Sequence, residues 1–481
     1  MIGLRLSEIA RITGGEVFDP VSAIDGGSAR AARVDPLVDG PVVTDSREAA
    51  QGSLYIARIG ENLDGHQFSG AARSRGAVAA LSTRPVAELA SVVVPDVQAA
   101  FAALAHGLVE RNPQAVVIGI TGSSGKTGTK DLLWSVLQSH GETVANVGSL
   151  NSEVGVPLTI CRITATTAYL VLEMGARGAG HIDYLARIAQ PQIGVVLNVG
   201  SAHVGEFGSR EAIGKAKSEL VQALPAAGFA VLNADDPIVW AMASQTRAHV
   251  IGVGRSADAA VRALNVCLDQ QGRPSFDLVT EAGSAPVSLR LHGEHYVGNA
   301  LAVAAVALTV GMSLTQVATA LGEARPLSRW RMEVQERADG VTIVNDAYNA
   351  NPDSMRAALE ALAAMGHDRR TWAVLGEMLE LGAESPAEHD NVGRLAVRLG
   401  ISRVVAVGQG ARPIHDGASD QASSGSSEDQ STWVPDTDAA HELLRQQLAP
   451  GDVVLVKSSR DAGLRWLGDR LLADTGSEVP S

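Results

Sequence analysis

The sequence predicts an α/β protein of three domains, and three observations carry that expectation. From about residue 115 to 310, β-branched runs ("AVVIGI", "YLVLEMGA", "IGVVLNVG", "GFAVLNADD") alternate with helical stretches, the mark of parallel βαβ units in a doubly wound sheet. A second alternating series follows "ARPLSRWRMEV" (324–334), namely "VTIVNDAY", "TWAVLGEM", "SRVVAVGQG" and "DVVLVKSSR". The first hundred residues differ, with shorter strands ("PVVTDSR", "SLYIARIG", "SVVVPD") between small helices and polar turns, and read as a separate α/β module. At 481 residues, 46% of them apolar, the chain can bury several cores, and length alone favours about three domains. The units expected are 1–108, 109–325 and 326–481.

Composition excludes some classes of function. A formal charge of -14 with only 4% aromatics gives no general attraction to nucleic acid or an anionic membrane, so any anionic ligand must be met locally. Cys161 and Cys267 lack metal-ligand spacing and form no disulfide framework, which fits a reducing cytoplasm. "MIGLRLSEIARITGGEV" has no apolar core of secretory length. "ALAVAAVALTV" (300–310) falls short of the roughly 20 apolar residues of a membrane span and reads as a buried helix in a soluble, cytoplasmic chain. "DGASDQASSGSSEDQS" (416–431), poor in apolar residues, reads as a mobile surface loop.

The chemistry begins at "TGSSGKT". Between the strand "VVIGI" and a helix expected near Thr129, Gly122 and Gly125 let backbone N–H groups point inward, where the helix N-terminus adds partial positive charge. Phosphate fits there, with Lys126 reaching the outer phosphates and the Thr127 hydroxyl placed for magnesium. The usual first glycine of this motif is replaced by Ile120, so the generic pattern is met in part. Gly128 is unhelpful to a helical first turn and eases close backbone approach.

"YLVLEMGA" drives Glu173 to the carboxyl end of a buried strand, on the sheet edge where the phosphate loop opens. An ionised carboxylate there must be paired or metal-bound; a metal on ATP is one partner, and Arg177 is the alternative. "NVGSAHVGEFGS" puts His203 in the loop after another buried strand, and "GKAKSEL" carries Lys215 and Lys217 on a helix, where a lysine is ordinarily solvated.

"TGSSGKT", "LEMGA", "NVGSAHVGEFGS", "AKSEL", "GEHYVGNALA", "NDAYNANPDSM" and "VLGEMLELG" stand in the order seen in the Mur ligase family, and the resemblance spans essentially the whole chain. It implies an ATP-dependent amide ligase that joins D-alanyl-D-alanine to UDP-N-acetylmuramoyl-tripeptide through an acyl phosphate, the last cytoplasmic step of peptidoglycan precursor synthesis. It also implies a nucleotide-sugar-binding first domain, a central ATP-binding domain and a Rossmann-like third domain that closes over ATP. Thr121, Gly122, Ser123, Ser124, Gly125, Lys126 and Thr127 would hold the phosphates. Thr127 and Glu173 resemble ligands of one magnesium, with His203 near a second. Lys217 matches the family lysine that takes up carbon dioxide as a carbamate, which replaces the solvated reading.

His295 and Asn299 resemble positions around the adenine, with Tyr296 where the family often has Asn. Arg329 matches an arginine that reaches the phosphates across the domain junction, next to Ser328 in place of a common glycine. Asp346 and Asn349 would close over the nucleotide. Ser46, Arg47, Asp64, Gly65 and His66 resemble the uridine-nucleotide site, and Asn151, Ser152 and Glu153 a substrate loop, Ser152 departing from the usual Asn. Lys457, Ser459 and Arg460 are candidates for the incoming dipeptide, with Ser458 replacing a usual glycine. A monomer is expected, with no nucleic-acid partner and no membrane span.

Three other readings stay open at this point. A sister ligase adding the third stem-peptide residue usually carries "DNPR", absent here. A folate polyglutamate synthase shares the phosphate loop but leaves "TDSR" without a purpose. A nucleotide-dependent switch of the GTPase kind reads guanine with Asn-Lys-x-Asp, and none is present.

Overall fold

A computed structural model describes residues 1–20, 35–60, 62–200, 204–423 and 430–474. It contains three mostly parallel sheets with helices packed against them, as the alternating sequence predicts, and a two-stranded ribbon near the start. The first large sheet runs Glu16–Phe18, Ala90–Val93, Ala77–Ser82, Ser53–Ile56, Val42–Val43, parallel but for its first pair. The helix Val97–Glu110, capped by the Asp96 carboxylate on Gln98 N and Ala99 N, follows it. This helix continues through residue 108, where the division between the first two domains is expected. Its apolar face serves both units, packing on Leu6–Thr13 on one side and on Gly155–Ile160 and His181–Ala189 on the other.

The central sheet has nine strands. Across the sheet they run Gly283–Ser288, Pro274–Thr280, Val261–Leu268, His249–Gly254, Phe229–Asn233, Ile193–Val196, Val116–Thr121, Tyr169–Glu173, Thr143–Ala145. Four of these are the runs singled out in the sequence. Of the other five, Thr143–Ala145 has only three residues, His249–Gly254 is exposed at its start and carries two glycines, and the three strands from 261 to 288 are partly exposed, with polar residues interleaved. Val116–Thr121 lies between Tyr169–Glu173 and Ile193–Val196, so strand order reverses around it. In an open α/β sheet the crevice at the carboxyl ends of such strands is where ligands bind, and here Thr121 opens into it.

The third sheet runs Glu333–Glu336, Thr342–Asn345, Val453–Lys457, Thr371–Leu375, Arg403–Val407, Ser431–Val434, parallel except at its first pair. Its domain rests directly on the central one. The Asp353 carboxylate crowds the space beside Gly200, and Gly205 lies under Glu380 and Gly382, where an added Cβ would sit 2.9 Å from Gly382 N. No helix among the described residues is long and apolar enough to cross a membrane.

The expected mobile loop at 416–431 is corrected. Arg412–Ser423 is a helix, and Ser431 starts a strand, leaving 424–429 outside the described residues. Composition misleads because a helix that abuts another closely needs few large residues. Ile414, Ala418 and Ala422 recur every fourth position and are buried, while Gly393 and Gly417 let this helix and Ser385–Arg398 meet backbone to backbone, Gly393 against the Ile414 carbonyl. A side chain at 393 has nowhere to go. Gly393→Val should therefore lower stability by about 1–3 kcal/mol, the cost of overpacking. Gly298, also helical but with open space around it, should gain up to ~1 kcal/mol as Gly298→Ala. Thermal melts of both variants check the opposite signs.

Candidate active site

The helix after the phosphate loop starts at Lys126, three residues before the position expected from sequence, with Gly125 in the left-handed conformation (φ 79°) as its N-cap. A Cβ at Gly125 would lie 2.8 Å from Asn299 Oδ1, so glycine is required there by both backbone and space. The loop is clamped from the neighbouring strand by Asn198, whose Oδ1 accepts from Ser123 N (3.0 Å) and Ser124 N (2.9 Å). Sequence reasoning quoted the string around Asn198 without assigning it. Its signal was a lone amide at the carboxyl end of an apolar strand beside the loop. The first-turn N–H groups of the helix have no side-chain cap and remain available to an anion. Lys126 Nζ folds back to donate to Gly122 O (2.6 Å) and Ser123 O (3.4 Å), occupying carbonyls of its own loop. Burial holds the Lys126 pKa below the ordinary lysine value, Glu173 opposing and Arg331 adding to the shift.

Glu173 is 1% exposed at the end of its strand, level with Ile120 in the adjacent one. Its Oε2 accepts from Thr127 Oγ1 (2.9 Å), its Oε1 from Asn151 Nδ2 (2.7 Å), and its N–H donates to Asn146 Oδ1 (2.6 Å). No salt bridge to Arg177 forms, which removes the alternative raised by the sequence. A buried carboxylate with neutral partners only is a donor set short of one cation. Lys217, on the helix Arg210–Gln222, is 6% exposed and has no hydrogen-bond or ionic partner among the described residues. Burial lowers its pKa well below the usual lysine range, with the nearby Lys126 charge adding to the effect. His203 lies outside the described residues.

Loop, carboxylate and lysine face one interdomain cleft of about 1220 Å3. Asn299 and Tyr296 pack over Gly128, where a Cβ would meet the Tyr296 ring at 3.3 Å. That is the close approach this glycine permits. The Tyr296 ring lies tilted against His295, their centres 4.6 Å apart and their planes at 37°. A smaller cavity of about 160 Å3 adjoins, lined by Asn198, Asn233, Gly254, His295 and Asn299 among others.

The third domain supplies the opposite wall. Lys457, 2% exposed, pairs with Asp346 Oδ2 (2.6 Å) and donates to Asn349 O (3.0 Å). Asp346 also accepts from Met332 N (3.0 Å). Ser459 is buried behind the wall, its Oγ accepting from Leu379 N (2.9 Å), while Arg460 reaches the cleft. The serine at 458 is accommodated because Gly376 faces it: a Cβ on Gly376 would lie 2.8 Å from Ser458 Cβ. Arg329 is not on the cleft wall. It pairs with Asp469 at 3.0 Å and is exposed, whereas Arg331, which sequence reasoning missed, lines the cleft.

The first-domain residues form a group apart from the cleft. Asp45 caps the turn carrying Ser46 and Arg47, pairing with Arg47 Nη2 (2.6 Å). Asp64 Oδ1 holds His66 Nδ1 (2.6 Å) and its Oδ2 holds Arg84 (2.6 Å). Those contacts put the Asp64 carboxyl far below the usual range, the Arg84 bond first. Gly65 lies so close to the Arg58 carbonyl that a Cβ would sit 2.5 Å from it. The charges of Asp45 and Asp64 both raise the Tyr55 pKa after burial, so the two motifs share the edge around that ring. Asn151, Ser152 and Glu153 line the cleft, and Gln98 of the first-domain helix donates to Glu153 O (2.7 Å).

Among the described residues no three carboxylate, imidazole or thiol groups converge, so a divalent ion here would rest on one carboxylate, one hydroxyl and a ligand's own oxygens. The buried Glu173 and Thr127 fit that role with hard oxygen donors.

Residues 120–307 match the family model described as Mur ligase middle domain, and residues 330–460 the one described as Mur ligase, glutamate ligase domain. The UDP-N-acetylmuramoyl-tripeptide--D-alanyl-D-alanine ligase of Mycobacterium tuberculosis is 48% identical over 98% of both chains. The fold superposes on MurF from Acinetobacter baumannii with a TM-score of 0.86 and 31% identity, covering 98% of this chain and 99% of that one. It also superposes on MurF ligase from Thermotoga maritima in complex with ADP, with a TM-score of 0.78 and 27% identity over 90% and 97% of the two chains.

The depressed Lys217 pKa has a signed consequence for stability. Below pH 10.5, the ordinary lysine value, the unfolded state binds a proton that the folded state holds weakly, so burying Lys217 costs stability at neutral pH and less as pH rises. In carbon-dioxide-free buffer Lys217→Met should melt above the parent at pH 7, the gap shrinking toward pH 10. A gap that is constant or widens with pH contradicts the assignment of an unpaired buried amine.

Proposed function

The chain belongs to the Mur ligase family, and we propose that its cleft joins D-alanyl-D-alanine to UDP-N-acetylmuramoyl-tripeptide, converting ATP to ADP and phosphate. The observation that carries this reading is the meeting of the phosphate loop and the uncompensated Glu173 in a cleft walled by another domain. An amide does not form spontaneously from a carboxylate and an amine in water, so the carboxylate is first activated. The peptide carboxylate takes the γ-phosphoryl group of ATP in line, and the amine of the dipeptide then attacks the acyl carbon and expels phosphate.

In this reading Thr121 to Thr127 hold the phosphates, and Lys126 leaves Gly122 O to bind the transferring oxygens. Asn299 and His295 flank the base in the small cavity beside the loop, with Asp346 and Asn349 above it. Thr127 and Glu173 would hold one magnesium ion, and His203 and Lys217 would serve a second; such ions would supply charge neutralisation for the phosphate oxygens. Lys217 becomes a carbamate: its unprotonated Nζ adds to the carbon of carbon dioxide and releases one proton, exchanging a neutral amine for an anionic carbamate. Burial favours that step by disfavouring the charged form of the amine.

Residues 1–108 hold the uridine nucleotide around Ser46, Arg47, Asp64, Gly65 and His66. Asn151, Ser152 and Glu153 lead the peptide toward Glu173. Residues 109–325 hold ATP, and residues 326–481 close the cleft and present Lys457, Ser459 and Arg460 to the dipeptide, with Lys457 and Ser459 acting through the wall they brace. Closure keeps water from the acyl phosphate. The enzyme acts as a monomer.

Incubation with ATP, magnesium, UDP-N-acetylmuramoyl-tripeptide and D-alanyl-D-alanine should give the pentapeptide by mass, with ADP release that requires the dipeptide. ADP release indifferent to D-alanyl-D-alanine would point to a nucleotide switch. Lys126→Ala should abolish ADP formation with the fold retained, and a folded variant with full turnover refutes the phosphate role. Added bicarbonate should raise the melting temperature of the parent and not of Lys217→Met; an equal rise in both argues against the carbamate.

A further inference from the structure

Residues 146–151 form a short loop that is joined to three separate parts of the molecule. At its start, Asn146 Oδ1 accepts from Glu173 N (2.6 Å), and Asn146 Nδ2 donates to Leu150 O (2.5 Å), closing the loop on itself. At its end, Asn151 Nδ2 donates to Glu173 Oε1 (2.7 Å), and Asn151 O accepts from Gly175 N (2.9 Å). From the phosphate-loop helix, Lys130 Nζ donates to Asn146 O and Gly148 O. In the middle, the Ser149 hydroxyl is hydrogen-bonded at 2.5 Å to the hydroxyl of Tyr348, which belongs to the third domain.

The loop has little room to absorb a displacement. A Cβ at Gly155 would collide with the Leu150 carbonyl group, and one at Gly175 would sit 2.9 Å from Asn151 Oδ1. Arg162 Nη1 fixes the approach to the loop through Ala145 O (2.8 Å). Groups packed this closely pass a shift on to their neighbours. Tyr348 is held as firmly on its own side. Its N–H donates to Trp330 O (3.2 Å), at a bend where Trp330 and Met332 both take left-handed backbone conformations (φ 59° and 48°). Its ring lies nearly parallel to that of Trp330, centres 6.5 Å apart, with the guanidinium groups of Arg331 and Arg460 over it at 4.3 and 5.7 Å. The hydroxyl pair therefore ties a rigid piece of the third domain to the loop that orients Glu173.

We propose that Ser149 and Tyr348 are a positioning pair: their hydrogen bond makes the placement of the Glu173 carboxylate depend on the seating of the third domain. The proposal rests on the ligase reading and adds to it the link between the two domains. Such a link suits an acyl phosphate route, because the carboxylate that would take a cation is fully oriented only when the cleft is closed to water.

The test combines amide hydrogen exchange on the full-length protein, free of metal and nucleotide, with steady-state kinetics. Tyr348→Phe removes the hydroxyl and keeps the ring that faces the two arginines. Exchange should become about 10-fold faster at residues 146–151, Glu173 and Gly175, the scale of one lost hydrogen bond in local opening, although the substitution lies in the third domain. In turnover, Tyr348→Phe and Ser149→Ala should each lower kcat about 10-fold, with the KM for D-alanyl-D-alanine within about two-fold of the parent. The double variant should also fall about 10-fold, not the about 100-fold of independent losses. Ser149→Thr keeps a hydroxyl and should recover most of the rate lost in Ser149→Ala. Unchanged kcat, additive losses, faster exchange confined to the third domain, or Ser149→Thr no better than Ser149→Ala would each overturn the assignment. Failure of the parent to make pentapeptide would instead remove the ligase reading, while the exchange result would still decide the link itself.

Discussion

A buried carboxylate with no cation of its own is the constraint on which the site depends. Glu173 is pinned by Thr127, Asn151 and Asn146, none of them charged. Each of these groups is itself held. Lys130, 2% exposed, donates to Asn146 O (2.8 Å) and Gly148 O (3.1 Å), so a buried lysine in the phosphate-loop helix fixes the turn that serves Glu173. Removing one partner from such a group leaves unsatisfied polar atoms in low dielectric. The arrangement has its hydrogen bonds complete, yet no cationic side chain pairs directly with the carboxylate among the described residues, which leaves it open to a bound cation.

The remaining architecture follows from bringing two anions together. ATP and a peptide carboxylate repel, so positive groups must converge where they meet, and here the ends of two separate sheets carry them. The central sheet offers Lys126 at its switch point. The third offers Arg331 and Arg460 around Tyr348. Lys457 is spent internally on Asp346, bracing the wall. Glycines at 200 and 205 let the third domain approach the central one closely, the Asp353 side chain lying against Gly200 and the Glu380–Gly382 backbone against Gly205.

Much of this was legible in the sequence. Apolar runs located the strands that carry Thr121, Glu173 and Lys457, because buried parallel strands are written as uninterrupted β-branched segments. The phosphate loop was legible because glycine and lysine at that spacing have few other uses between strand and helix. Asn198 was not, since an asparagine that clamps a loop looks like any other until its neighbour is known. Arg331 was hidden for a different reason: Arg329 and Arg331 are chemically alike, and only the left-handed turns at Trp330 and Met332 decide which faces the cleft. The helix at 412–423 was lost because close packing there relies on glycine and alanine, which composition reads as loop.

The central claim is that ATP lies in the phosphate loop with its tail beside Glu173. A crystal structure with magnesium and a non-hydrolysable ATP analogue tests it most directly. The account predicts the terminal phosphate within hydrogen-bond distance of Lys126 Nζ, the amine released from Gly122 O, and a metal on the Glu173 carboxylate. A triphosphate seated elsewhere, with Lys126 still on its own loop, would contradict it.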